Sequence, residues 1–284
     1  MNILSARLAL ITAVIISAGV FAHQSPAAQA AQTLQVLAVV GGQPDDVTVD
    51  TQGRLIWGNL ARGTIERLDG KRVVTVARNL SVPEGVVVLP NGTIIVAEQG
   101  RDRIVRIGAH GALSLVYALR PVSGQEGVDG IGRDPRTGNL LVPDSPNGTV
   151  LTMSRQGRHV RLIARGIGRP VDAAVDKQGD VLVPDEHLGT LVVVTPRGQV
   201  SYRGTLSIPD DVAVDRNGRI WVTTLGDYGL WVIDPGGVPR RVLVGLANPQ
   251  GLTLDRCGDP IVVEQNAAQL VRLLLTTAAR RCAL

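Results

Sequence analysis

Aromatic side chains are almost missing from this chain: three Trp, three Tyr and one Phe make up 2% of its 284 residues. So few rings argue against a sugar-stacking lectin surface. The formal charge is +4, yet the basic residues are scattered singly. No Arg or Lys run alternates with aromatics as a nucleic-acid interface would need, so no nucleic-acid partner is expected. Histidines number four, and no pair of them has zinc-ligand spacing. No Ser–His–Asp order and no Gly-x-Ser-x-Gly stretch stands out. Segments of helical period are absent, and beyond the N-terminus no run is long and apolar enough to span a bilayer. Cysteine is reduced to Cys257 and Cys282, both near the C-terminus. In an exported chain that pair favours one disulfide over two free thiols, and closing a loop of about 26 residues contributes roughly 3–4 kcal/mol.

Export is read from the first thirty residues. Arg7 is the only charge before the apolar run Leu8–Phe21, and small residues follow around Ala28-Gln29-Ala30. This is the layout of a secretory signal, with an apolar run that is short for a membrane anchor. The expected organisation is a signal over 1–30 and one domain over 31–284, secreted or periplasmic, with no membrane span after cleavage. Removing Arg7 takes the formal charge from +4 to +3.

What the chain has in quantity is Gly (33) and Pro (16), and they fall at regular places. The stretch Ile208–Val222, IPDDVAVDRNGRIWV, has strict copies at 43–57, 82–96, 169–183 and 248–262 and a looser copy at 127–142. The unit reads as a Pro-led lead-in, an alternating strand, an Asp-x-x-Gly turn and a second strand, and the looser copy has Val128 in place of the proline and one extra residue in the turn. The starting points 44, 83, 128, 170, 209 and 249 step by 39, 45, 42, 39 and 40 residues. Repeats of that period predict an all-β, six-bladed β-propeller with four-stranded blades. The strand at 34–40 precedes the first repeat and the last repeat lacks a fourth strand, so the N-terminal strand is expected to complete the closing blade and remove free edges. In the fifth blade the strands are expected at Val212–Asp215, Arg219–Thr223, Gly229–Ile233 and Arg240–Gly245.

The topology sorts residues by face. The position after the repeat proline, near the channel on the face called top, holds Asp45, Glu84, Asp129, Val171, Asp210 and Gln250. The next holds Asp46, Gly85, Gly130, Asp172, Asp211 and Gly251, and the end of the second strand holds Asn59, Glu98, Asp144, Asp185, Thr224 and Glu264. Carboxylates converging on one axis repel one another by about 1–4 kcal/mol per pair at 4 Å, and a hard cation removes that cost. Calcium, with six to eight oxygen ligands, suits such a ring. The candidate metal ligands are therefore Asp45, Glu84, Asp129 and Asp210, holding a calcium or other divalent cation on the propeller axis. The competing reading is turn capping, which is assigned outright to Asp50, Asp176, Asp215 and Asp255 and stays open for the acids ending the second strands. His187 and Tyr228 fall in top loops, His110 and His159 in bottom turns. Trp57 and Trp221 read as packing between blades.

The repeat Pro-x-[Gly/Asp]-hydrophobic-x-Val-Asp-x-x-Gly-x-hydrophobic-x-Val resembles the NHL repeat and the SMP-30/gluconolactonase propellers over nearly all of residues 34–276. That resemblance implies either a scaffold binding a small molecule, a protein or a cell-envelope polymer at its top face, or a metal-dependent hydrolase of lactones. In the second case Ile208–Val222 carries a ligand role onto Asp210. The partner positions are Val171, which has no donor, Asp129 and Asp45; Glu84 is the candidate base, so the catalytic candidates are Glu84 and Asp210. Streptogramin lyases and quinone-dependent sugar dehydrogenases are placed behind these because both need a histidine, and none follows His187. The protein is expected to be a monomer.

Overall fold

The computed structural model describes residues 33–275. The expected signal over 1–30 and Cys282 lie outside them. The chain runs as β1 (Thr33–Val39), then blade one, β2 (Pro44–Val49), β3 (Leu55–Asn59), β4 (Thr64–Asp69) and β5 (Arg72–Ala77). Blade two is β6 (Pro83–Val88), β7 (Ile94–Glu98), β8 (Arg103–Ile107) and β9 (Leu113–Ala118). Blade three is β10 (Gly132–Arg133), β11 (Leu140–Asp144), β12 (Thr149–Met153) and β13 (Arg161–Arg165). Blade four is β14 (Ala174–Val175), β15 (Val181–Asp185), β16 (Thr190–Val194) and β17 (Val200–Arg203). Blade five is β18 (Pro209–Val214), β19 (Ile220–Thr224), β20 (Gly229–Ile233) and β21 (Arg240–Leu243). Blade six is β22 (Pro249–Leu254), β23 (Pro260–Glu264) and β24 (Gln269–Leu274). Each blade is a four-stranded antiparallel meander, and β1 supplies the fourth strand of blade six, pairing Thr33 with Leu274 and Val39 with Gln269. The protein is a six-bladed β-propeller closed by its N-terminal strand.

The hydrophobic core is divided into six aliphatic clusters, each shared by two adjacent blades. Ile56, Ile65 and Val86 join blades one and two, for instance, and Leu141, Val150 and Val183 join three and four. This arrangement explains how so few rings suffice: alternating Val, Ile and Leu fill flat, sheet-on-sheet spaces. Trp57 packs with Ile261 and Leu270 across the closing seam, and Trp221 packs with Val262 and Val271 across the next; both are fully buried. Trp221→Ala is expected to lower stability by about 3–5 kcal/mol, read as a shifted midpoint in urea unfolding.

The turns behave as capping chemistry requires. Asp215 Oδ1 accepts the backbone N–H groups of Asn217 (2.8 Å) and Arg219 (2.9 Å). Asp50, Asp176 and Asp255 do the same in their own turns. Cys257 stands in such a turn and is not a free thiol.

One local device positions the channel residues. In blades one, two, five and six the inner strand breaks register between the repeat proline and the third residue after it, as between Pro209 and Val212. A bulge inserted there re-aims the two residues between, and proline tolerates the place because it has no N–H to leave unpaired. The boundaries of the fifth blade shift accordingly: its inner strand begins at Pro209 rather than Val212 and ends at Val214, while Gly229–Ile233 falls as expected. In blades three and four the same segment leaves the sheet, and β10 and β14 keep only two residues each.

Candidate functional site

The two residues that each bulge turns inward, with their counterparts in the segments of blades three and four that leave the sheet, form an acidic well at the top of the channel. Asp45, Glu84, Asp129 and Asp210 make its outer level. Asp46, Asp172 and Asp211 make its inner level. Between the levels lies a space of about 10 Å³, lined by Asp45, Asp129, Val171, Asp210 and Gln250 from above and by Asp46, Asp172 and Asp211 from below. A space of that size holds one water molecule or one ion.

The inner carboxylates are anchored by backbone of the next blade. Asp46 Oδ2 accepts the N–H of Val86 (2.6 Å), Asp172 Oδ2 that of Val212 (3.2 Å), and Asp211 Oδ2 that of Leu252. The same contact explains the glycines at this position in the other blades. A Cβ on Gly85 would stand 2.6 Å from backbone atoms of Gly130 and Ile131, and one on Gly251 2.7 Å from Asp46 Cα. The inner level therefore stitches the ring together and also adds charge.

The outer level is held by residues from the top loops. Gln265 Nε2 donates to Asp45 Oδ2 at 2.7 Å. Gln99 Nε2 donates to Glu84, and Glu84 is hydrogen-bonded in turn to Asp129. Arg169 Nη2 meets Asp129 Oδ2 at 2.8 Å and also pairs with Glu186 and Glu126. Among the described residues, Arg169 is the only base in an ion pair with any of the seven carboxylates of the well.

Burial without compensating charge shows in the proton affinities. Desolvation, reinforced by the charge of Asp129, pushes Asp45 up to about 7. Desolvation lifts Asp129 to about 6, with Arg169 holding it down. Burial and then mutual repulsion drive Glu84, Asp210, Asp46 and Asp211 well above the ordinary carboxylate range. These six carboxylates therefore hold their protons to higher pH than free carboxylates do.

As a metal centre the donor set is all oxygen, which suits calcium. The geometry fits less well. Among the described residues no three His, Cys, Asp or Glu side chains come together as a set that would hold an ion. Glu84 is turned to Gln99 and Asp129 to Arg169, and Val171 closes its side of the well with a buried aliphatic group.

Three of the four acids that end the second strands hold backbone donors, and the fourth, Asp144, accepts the side-chain amide of Asn147 (2.9 Å). Glu98 Oε1 accepts the N–H of Ser81 (2.8 Å), and Glu264 Oε1 that of Ala247 (2.9 Å). Asp185 accepts those of Gly168, Arg169 and Leu188 at 2.8, 3.0 and 3.1 Å. They bind the approach to blades two, four and six to the second strand of the same blade. Asp185 is fully buried, so Asp185→Ala would orphan three backbone donors. The expected loss is about 2–4 kcal/mol, read by urea unfolding.

Beside the well, a cavity of about 490 Å³ opens on the top face between Gln125, Glu126, Arg169, Glu186, His187 and Ile208. Ile208 is 43% exposed and sits at φ 52°, a left-handed backbone that a β-branched residue adopts only under strain. His187 is exposed on this rim, while His110 and His159 occupy the bottom turns, at φ 56° and 55°. The sequence reading missed Arg169, Gln99, Gln265 and Glu186. Arg169 had a signal: it is the one charged residue placed directly before a repeat proline. The other three each follow the residue that ends a second strand, a place with no shared residue type to mark it.

The fold and the well define a six-bladed propeller with an acidic channel mouth. No family model matches the chain. A virginiamycin B lyase of Nocardia farcinica is 29% identical over 204 residues, 72% of this chain and 66% of the relative, so the match spans just under two thirds of that protein's length. A gluconolactonase from Xanthomonas campestris shares the fold with TM-score 0.74 and 17% identity over 86% of this chain and 90% of its own. A catalytically inactive His-to-Ala variant of the Staphylococcus aureus virginiamycin B lyase, solved with quinupristin, gives TM-score 0.66 and 16% identity over 87% and 86%. Likeness at these identities establishes the propeller. No histidine follows His187 in this chain.

Proposed function

We propose that the protein is an exported propeller that binds a cationic ligand, a divalent cation such as calcium or the positively charged end of a small molecule, in the acidic well of its top face. The observation that carries this reading is the charge balance: six carboxylates line one space, a seventh, Glu84, is hydrogen-bonded to one of them, Asp129, and one guanidinium, Arg169, is paired to the group among the described residues. A cation entering the well supplies the missing charge and displaces the protons held there. The adjoining 490 Å³ cavity gives a small molecule room beside it.

The test is thermal unfolding of residues 31–284 after EDTA treatment, with calcium and then with organic ammonium ions added. Binding at a hundredfold excess over Kd adds about 2.7 kcal/mol, or roughly 5–10 °C in Tm for a domain of this size. Asp210→Ala is expected to abolish that shift. No shift with any cation overturns the reading.

A second reading, hydrolysis of lactones, is favoured by the likeness of Ile208–Val222 to the gluconolactonase segment and by the shared fold. It would use Asp45, Asp129 and Asp210 toward an ion and Glu84 as base. The buried Val171 leaves one position of that set without a donor. Turnover in a lactone panel that is lost in Glu84→Gln would favour it over simple binding.

A further inference from the structure

On the opposite face, the turns of blades three and four enclose a cleft of about 390 Å³ that plays no part in the well. Its rim is basic. Arg136, Arg161 and Arg197 line it, against a single acid, Asp134. That acid is already occupied: its Oδ1 accepts Arg136 N (2.9 Å) and Nε (3.3 Å), and its Oδ2 accepts the Thr137 hydroxyl (2.9 Å). Arg136 is spent in the same way, with Nη2 donating to Gly179 O at 3.1 Å. Arg161 and Arg197 are exposed and form no ion pair among the described residues. The turn that leads to Arg161, SRQGRHVR over 154–161, adds Arg155, Arg158 and His159 and contains no acid. Arg161 and Arg197 thus lack an ion pair among the described residues, while Asp180, next to Gly179 in the cleft wall, acts on Arg203 and Arg136 rather than on them.

The floor is of the opposite character. Leu141 and Val194 are buried beneath it as the end of the core between blades three and four, and Ile163 packs against them. Leu162 lines the same cleft 47% exposed, which leaves aliphatic surface open to water in the cleft that the two arginines rim. An apolar floor under paired guanidinium groups complements a molecule with an aliphatic tail and an anionic head.

We propose that this cleft binds a small amphiphilic anion, an aliphatic carboxylate of medium chain length, with its head between Arg161 and Arg197 and its tail along Leu162 and Ile163. The inference does not depend on what the acidic well binds, since the two sites lie on opposite faces.

Calorimetric titration with decanoate below its micelle concentration tests it, with decanol and acetate as controls. The expected result is saturable one-to-one binding of decanoate, with decanol and acetate each at least about tenfold weaker because each lacks one half of the match. Arg161→Gln/Arg197→Gln is expected to weaken decanoate at least about tenfold with an unchanged melting temperature, both side chains being exposed. Leu162→Asp is expected to weaken it comparably from the apolar side. Absence of saturable binding, equal binding of decanol, or decanoate binding unchanged in the double variant overturns the proposal. Co-sedimentation with anionic phospholipid vesicles is the remaining arm. Vesicle binding that depends on the two arginines, without binding of monomeric decanoate, would assign the rim to a lipid surface and overturn the cleft as a small-molecule site.

Discussion

Metal-free protein is expected to lose stability as pH rises from 5 to 8, by roughly 2–4 kcal/mol or about 5–15 °C in Tm. The sign follows from which state holds the protons. Asp45 and Asp129 keep theirs in the folded protein up to about 7 and about 6, whereas in the unfolded chain they release them near 3.8. Between those values the folded state binds more protons, so every rise in pH favours unfolding until the window closes above pH 7. Carboxylates that grip turn backbone or arginine in the folded state, Asp50, Asp69, Asp134 and Asp215, are held below their ordinary value. Their stabilisation is complete above the unfolded value and is lost only as pH falls through the lower folded ones. Over the interval from 5 to 8 Asp144 and Asp180, also raised by burial, add in the same direction while the well dominates. A cation that binds there should flatten the curve at its alkaline end. Scanning calorimetry at several pH values in EDTA decides the matter. A Tm that rises or stays level over this interval would mean that the carboxylates are already neutralised by something else.

Arg169→Met is expected to be the most damaging single change at the site, and to be so only above neutrality. Its guanidinium is 13% exposed and joins Asp129, Glu186 and Glu126. Removing one partner from a buried charge cluster costs about 3–5 kcal/mol, because the remaining charges keep their desolvation penalty and lose their compensation. At pH 5 Asp129 takes up a proton and most of that loss disappears. Urea midpoints for the parent and Arg169→Met at pH 5 and pH 8 give the comparison. An equal loss at both pH values would assign Arg169 to packing rather than to charge.

The propeller was readable because its signal is repeated. Five Pro-to-Gly intervals of one length, together with a strand left over at the start, determine blade number and closure with no tertiary information. The inner and outer levels of the well were readable for the same reason, since they are consecutive positions of the repeat. What the sequence hid are contacts between unlike places. Arg169 reaches from the approach to blade four to Asp129 in blade three, and Gln265 crosses from blade six to Asp45 in blade one. Such pairs follow from ring geometry, and no spacing along the chain encodes them. The two-residue inner strands of blades three and four were hidden as well. Blade three lacks the repeat proline, having Val128 there. In blade four Asp185 takes the N–H groups of Gly168 and Arg169 and leaves only a bridge between Pro170 and Asp185.

The pairing of Thr33 with Leu274 sets an order in time. A chain made or delivered from its N-terminus presents β1 first and β24 last, so the strand that seals the ring waits for almost everything else to arrive. Until then each finished blade exposes an aliphatic face to its missing neighbour, and the last seam forms in one step. The same lock that leaves the mature ring without an open edge makes every truncated product an unfinished one. A ribosome stalled or a protease acting before blade six leaves a chain with no partial version of the channel to fall back on.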